Sequence, residues 1–215
     1  MSARANILAR IRTRQGKAVT VRAAEQETVA QYIAAHPSGP RPTVDADIIA
    51  RFRDRALSLM TSIDEVPAAA DIPGAVARYL RGQNLQPVAV CWPELAALDW
   101  AAQGLRVESR AAHGDDLTGI TGAFCAIAET GTLMMCSGPD TPPATSLLPE
   151  THIAVVSRSR IVTGMEDAWA LLRAERGAMP RAVNFISGPS RTADIEQTVT
   201  LGAHGPYRVH LLLLP

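Results

Sequence analysis

Residues 122–138 read GAFCAIAETGTLMMCSG, two apolar runs on either side of Glu129-Thr130-Gly131. That is the pattern of a β-hairpin. A two-residue loop of Thr130-Gly131 would force Thr130 to positive φ, which a β-branched residue resists. A three-residue loop with Gly131 in the left-handed conformation fits better. It sets Cys125 opposite Met135 rather than Cys136, so the two thiols need not form a redox pair.

On both sides of the hairpin the pattern is one of alternation. GAVARYLRG, PELAALDW, EDAWALLR and TADIEQTV read as helices, and PVAVC, LRVES, HIAVVS, AVNFIS and RVHLLLL as strands. Short β-branched runs between modest helices predict an α/β sheet covered on both faces, with the hairpin making it a mixed sheet. Upstream, Asp45 or Asp47 can cap a helix running to about residue 60, with Ile48, Ile49, Phe52, Ala56 and Leu59 at helical spacing. Residues 2–15 and 23–35 read as two further helices, and PSGPRP at 37–42 breaks the pattern. The expected organisation is an N-terminal helical arm, residues 1–42, and an α/β domain, residues 43–215.

The chain has 215 residues, 47% of them hydrophobic and 20% charged, enough for one sizeable core. Its 21 basic and 21 acidic side chains cancel, which argues against nucleic acid or an anionic membrane as partner. Charge is uneven only at the start, where Arg4, Arg10, Arg12, Arg14, Lys17 and Arg22 precede the first acid, Glu25. This reads as the solvated face of a helix, with docking on an acidic partner as the alternative. No apolar run approaches the roughly 18 residues needed to cross a bilayer, and no leader-like apolar region opens the chain, so a cytoplasmic protein is expected. Cys91, Cys125 and Cys136 show neither CxxC nor paired Cys/His spacing, which argues against zinc, an iron–sulfur cluster or a disulfide framework. No metal ligand set is expected.

Three places suit chemistry. FISGPSRTADIEQ, residues 185–197, reads as a strand, a Gly-Pro turn and a helix start near Thr192. Backbone N–H groups at such a corner can hold an anion, with Gly188 allowing close approach and Ser190, Arg191 and Thr192 adding donors and positive charge. The plainer alternative is a helix cap, with Asp194 and Glu196 complementing the dipole. Glu129 is an acid enclosed in an apolar stretch, suited to act as base or nucleophile if buried and otherwise an exposed turn residue. GITG, residues 119–122, reads as a loop that can bring backbone to the same place. His204, between two glycines in GAHGPYRVH, is the histidine best placed to be accessible and oriented. His113, beside Asp115 and Asp116, reads as an exposed loop.

Taken together, GITGAFCAIAETGTL, SLLPETHIAVV, VNFISGPSRTADIE and GAHGPYRVHLLLL resemble the LUD domain, the family of the bacterial lactate-utilisation C proteins. The resemblance implies a three-layer α/β/α fold similar to the superfamily of ribose-phosphate isomerases, sugar-phosphate deaminases and CoA transferases. It also implies a place in the system that oxidises L-lactate to pyruvate, beside larger partners of which at least one carries iron–sulfur clusters. This chain would itself bind no cluster.

The positions that match the family are Gly119, Thr121, Glu129, Thr130, Gly131, Thr132, Gly188, Pro189, Ser190, Arg191, Thr192, Asp194, Glu196, His204 and Gly205. They imply a pocket for a small carboxylate or anionic cofactor, with Arg191 pairing with the anion. A glutamate is the nucleophile in CoA transferases, and Glu129 is the acid comparable to it, by fold analogy alone. Two alternatives stand beside the lactate reading: a free-standing enzyme on an acyl-CoA or sugar phosphate using Glu129, and a scaffold without a ligand. A homo-oligomer is compatible with either, since a second copy can cover an edge strand.

Overall fold

The structure, a computed structural model, describes residues 2–43, 47–193 and 199–215. The chain forms two compact units, Met1–Pro42 and Thr43–Pro215.

In the first unit, α1 (Ala3–Arg14) begins on Ser2, whose hydroxyl accepts from the Ala5 N–H at 3.3 Å. Helix α2 (Ala23–Ala35) ends on His36 in the left-handed conformation. Glu25 of α2 pairs with Arg12 at 2.7 Å and Lys17 at 3.9 Å, so part of the early basic run is neutralised within the unit. The apolar stripe of α1, Ile7, Leu8 and Ile11, is exposed.

The second unit opens with α3 (Ile48–Ser58), capped by Asp47, whose carboxylate accepts from the N–H groups of Ile49 and Ala50. Then come β1 (Ser62–Glu65), α4 (Ile72–Gly82), β2 (Val88–Cys91), β3 (Arg106–Ser109) and β4 (Thr118–Gly122). The hairpin is β5 (Cys125–Ile127) and β6 (Thr132–Cys136). After it follow α5 (Ala144–Leu147), β7 (Thr151–Ser157), β8 (Ile161–Val162), α6 (Met165–Glu175) and β9 (Val183–Ile186). The chain finishes with β10 (Arg191–Thr192), β11 (Thr200–Leu201) and β12 (Arg208–Leu214).

The α/β class is as the sequence implied. Six strands form a parallel sheet in the order β1-β12-β7-β4-β2-β3. Its middle strands are apolar on both faces because both are covered. On one face, Ile120, Ile153, Val155 and Leu212 pack with Ile72, Val76 and Leu80 of α4. On the other, Ala154, Val156, Val209, Leu211 and Leu213 meet Phe52 and Ala56 of α3 and Ala126, Leu133 and Met135 of the hairpin.

The three-layer expectation gains a layer here. The hairpin is not a strand pair of the main sheet but the centre of a second sheet, β8-β5-β6-β9, and the mixed pairing is confined to it. Its far face packs through Cys125, Ile127, Met134 and Cys136 on Ala168 and Leu172 of α6.

Three other expectations are corrected. GITG is not a loop but the buried strand β4, because sheet neighbours on both sides supply its backbone partners. PELAALDW is not a continuous helix: a short 3-10 turn forms its start, Pro93–Leu95, another follows it at Ala101–Gln103, and the Trp100 indole N–H donates to the Leu95 carbonyl at 3.0 Å. No helix starts at Thr192, since Arg191 and Thr192 pair antiparallel with Leu201 and Thr200. The rest of that expected helix, residues 194–198 including Asp194 and Glu196, lies outside the described residues.

Candidate functional site

The hairpin tip is shaped by its contact with α3. Gly131 takes φ +68°, as expected, and its N–H donates to the Ile127 carbonyl at 2.9 Å. A Cβ there would stand 2.5 Å from the Ala56 nitrogen and 2.7 Å from the Arg55 carbonyl carbon, so only glycine lets the tip lie on the helix. The turn therefore spans Ala128 to Gly131, and Cys125 faces Met134, one residue from the expected Met135. Cys136 is opposite Val183, so the two thiols are not cross-strand partners. Glu129 is half-buried. Its N–H donates to the Thr163 carbonyl at 2.9 Å, and its carboxylate has no partner among the described residues.

Tip and corner are joined. Thr130 donates to the Thr132 hydroxyl at 2.7 Å, which lies 2.6 Å from the Ser187 hydroxyl at the end of β9. Beyond Ser187, Gly188 takes φ +80° with its α-carbon facing the Leu59 carbonyl, where a side chain would collide. Arg191 donates from Nη2 to that same carbonyl at 2.7 Å, placing a cation on the last turn of α3. Pro189 is buried. The Ser190 N–H is taken by the Pro206 carbonyl at 2.9 Å and its carbonyl by the Gly202 N–H at 2.9 Å. Several donors expected to serve an anion thus hold the chain to α3 and to the last loop.

Gly119 and Thr121 lie in β4, under α5. A Cβ on Gly119 would collide with the Thr145 carbonyl. The Thr121 hydroxyl contacts Nε2 of His152 at 2.8 Å inside the core, where burial pushes the imidazole pKa down to about 4. His204 is exposed and, with Gly205, lines a cleft of about 740 Å³ together with Leu147, Glu150, Tyr207 and Arg208. This cleft opens at the amino ends of β7 and β12. Neither a shared cleft nor a hydrogen bond joins His204 to Glu129 among the described residues.

A smaller cleft, about 250 Å³, lies at the carboxyl ends of β2 and β4, walled by Trp92, Glu94, Phe124, Arg160, Glu175 and Arg176. The sequence reading passed over all six. Arg160 grips Glu175 at 2.6 and 3.0 Å, donates to the Phe124 carbonyl at 2.8 Å and stacks 4.8 Å from the Phe124 ring centroid. The Arg176 guanidinium lies 5.7 Å from the same ring centroid. Once β2 and β4 are known to be neighbours, the residues just after them become the signal.

All three cysteines are buried and free. Burial pushes the Cys125 thiol up to about 12, and its Sγ lies 3.8 Å from the Met134 sulfur. Among the described residues no group of three or more His, Cys, Asp or Glu side chains is arranged to hold a metal ion. Among them no helix is long and apolar enough to cross a membrane.

These features define an α/β protein with a parallel sheet whose glycine-rich motifs are built into the packing between two sheets and α3. Residues 70–214 match the family model of the LUD domain, and the chain belongs to that family. It is 34% identical over 184 residues to the lactate utilization protein C of Deinococcus radiodurans, covering 81% of this chain and 83% of that one. It is 35% identical over 127 residues to the Bacillus licheniformis protein of the same name, covering 54% of this chain and 53% of that one. The matched region spans about half the length of the Bacillus relatives. In structure it resembles a crystallised DUF162 family protein from Deinococcus radiodurans, with a TM-score of 0.61 and 30% identity, covering 81% of this chain and 100% of that one.

Proposed function

We propose that this chain is a subunit of a lactate-utilisation system that oxidises L-lactate to pyruvate. The observation that carries the reading is its likeness to the Deinococcus lactate utilization protein C over 81% of this chain and 83% of that one. The oxidation removes the hydroxyl proton of lactate and the hydrogen on the carbon that bears it, two protons and two electrons in all. In this reading the electrons pass to iron–sulfur partner subunits, and this chain supplies a site for a small carboxylate.

The test is genetic and direct. Deleting the gene in its source organism abolishes growth on L-lactate as sole carbon source and leaves growth on pyruvate intact, and the tagged chain co-purifies with iron-containing proteins from lactate-grown cells. Normal growth of the deletion strain on L-lactate removes the reading.

A further inference from the structure

The main sheet reverses its direction of travel between two adjacent strands. From β2 the chain moves outward to β3, and from β4 it moves the opposite way to β7. At such a point the connections leave to opposite sides, and a crevice opens outside the carboxyl ends of the two strands. Open parallel sheets bind their ligands there. In this protein the crevice is the cleft of about 250 Å³ between Trp92, which follows β2, and Phe124, which follows β4. The larger cleft beside His204 opens at the opposite, amino ends of the strands.

The charges in the cleft are unequally used. Arg160 and Glu175 hold each other through two hydrogen bonds, and the Arg160 Nε–H is taken by the Phe124 carbonyl. Arg176 stacks toward the same ring, and its guanidinium has no hydrogen bond or ion pair among the described residues. Glu94 leans over Gly122 at the end of β4, where a Cβ would collide with its carboxylate, and it too is unpaired among the described residues. The cleft thus offers one open guanidinium fork and one open carboxylate that do not pair with each other. Two aromatic side chains flank them, Trp92 buried with its indole N–H donating to the Pro142 carbonyl at 3.2 Å.

We infer that this cleft binds a short 2-hydroxycarboxylate. The ligand's carboxylate takes the Arg176 fork in two parallel hydrogen bonds. Its hydroxyl donates to Glu94, which can only accept. A 2-oxo acid keeps the first contact and loses the second, and its carbonyl oxygen is set against the Glu94 carboxylate. The site therefore prefers the hydroxy acid to its oxidised form. The volume suits a few heavy atoms with water and lies below the roughly 300 Å³ at which pockets for larger ligands begin. The inference rests on the proposed function for the choice of acid, and on the cleft alone for the site.

Calorimetry on the full chain with L-lactate, pyruvate and acetate tests it. Lactate is expected to bind tighter than pyruvate or acetate. Arg176→Gln weakens lactate and pyruvate by about tenfold or more, the loss expected for a charge-assisted pair. Glu94→Ala weakens lactate without weakening pyruvate, and Arg191→Gln leaves all three unchanged. Both cleft side chains are exposed, so the variants should keep the parent's thermal midpoint, which is measured alongside. No lactate binding by the parent chain, or loss with Arg191→Gln but not with Arg176→Gln, overturns the inference. The growth test separates the two readings. A lactate-negative deletion strain restored by the Arg176→Gln chain keeps the function and removes the cleft. A lactate-positive deletion strain with Arg176-dependent binding keeps the cleft and removes the function.

Discussion

The hydroxyl of Thr121 and Nε2 of His152 meet at 2.8 Å between two central strands, with both side chains fully buried. Nδ1 of His152 has no partner among the described residues. His210, on the next strand, stacks on Tyr79 at 3.9 Å and contacts the Ser62 hydroxyl through Nδ1 at 2.8 Å. Burial holds both imidazoles neutral, with pKa values pushed down to about 4 from 6.5.

A pH dependence follows from these two histidines. Between pH 6.5 and 4 the unfolded chain protonates them and the folded chain does not, so the unfolded state binds more protons and stability falls as pH falls. Urea unfolding at pH 7 and pH 5 should differ by about 2 kcal/mol for each histidine. His152→Gln should reduce that difference by its share, whatever its absolute stability. An unchanged difference would mean that His152 titrates normally.

Glycine at the tip and corner is a packing requirement. Gly131→Ala and Gly188→Ala each meet positive φ and the backbone of α3 or Leu59, and each should cost roughly 2 kcal/mol or more. Gly177→Ala has open space and ordinary φ, and should cost under about 1 kcal/mol in the same denaturation series. Equal losses at all three positions would contradict the contact between tip and α3.

Arg191 is expected to act on stability. Replacing it with Gln removes a hydrogen bond to the Leu59 carbonyl and a cation from the last turn of α3, a loss of about 1 kcal/mol at this exposed position. Chemical denaturation with and without added salt measures it, the charge-dependent part shrinking as salt rises.

The thiols should be silent in the folded protein. Cys91, Cys125 and Cys136 are buried, and burial raises the pKa of each. Intact-mass analysis after iodoacetamide at mildly alkaline pH should show no adduct on the native chain and three on the denatured one. Rapid native labelling of Cys125 would place that residue at a surface.

The strands buried on both faces were legible because burial leaves an uninterrupted apolar run, as in HIAVVS and RVHLLLL. Strand β4 was not. Its Thr-Gly-Ile-Thr-Gly sequence has the composition of a loop because Gly119 must pass Thr145 and Gly122 must pass Glu94, and it is a strand because β2 and β7 pair with it on either side. Strand β1, Ser-Ile-Asp-Glu at the sheet edge, carries too little hydrophobicity to stand out. The separation of the hairpin from the main sheet depends on pairing with β9, far along the chain, which no local pattern encodes. The same is true of the cleft. Glu94, Phe124 and Arg176 are unremarkable in their own segments and become neighbours only through the strand order.

Between Gly122, the last residue of β4, and Cys125, the first of β5, only Ala123 and Phe124 carry the chain from one sheet to the other. Along β5, Cys125 and Ile127 face α6 while Ala126 faces the main sheet. Because side chains alternate with a period of two, one residue added at that link would turn Cys125 and Ile127 toward a layer fitted to alanine. The length of this link is therefore as strict a specification as any side chain in the protein. Insertions in exposed loops can be accommodated at the surface, but not between these two strands.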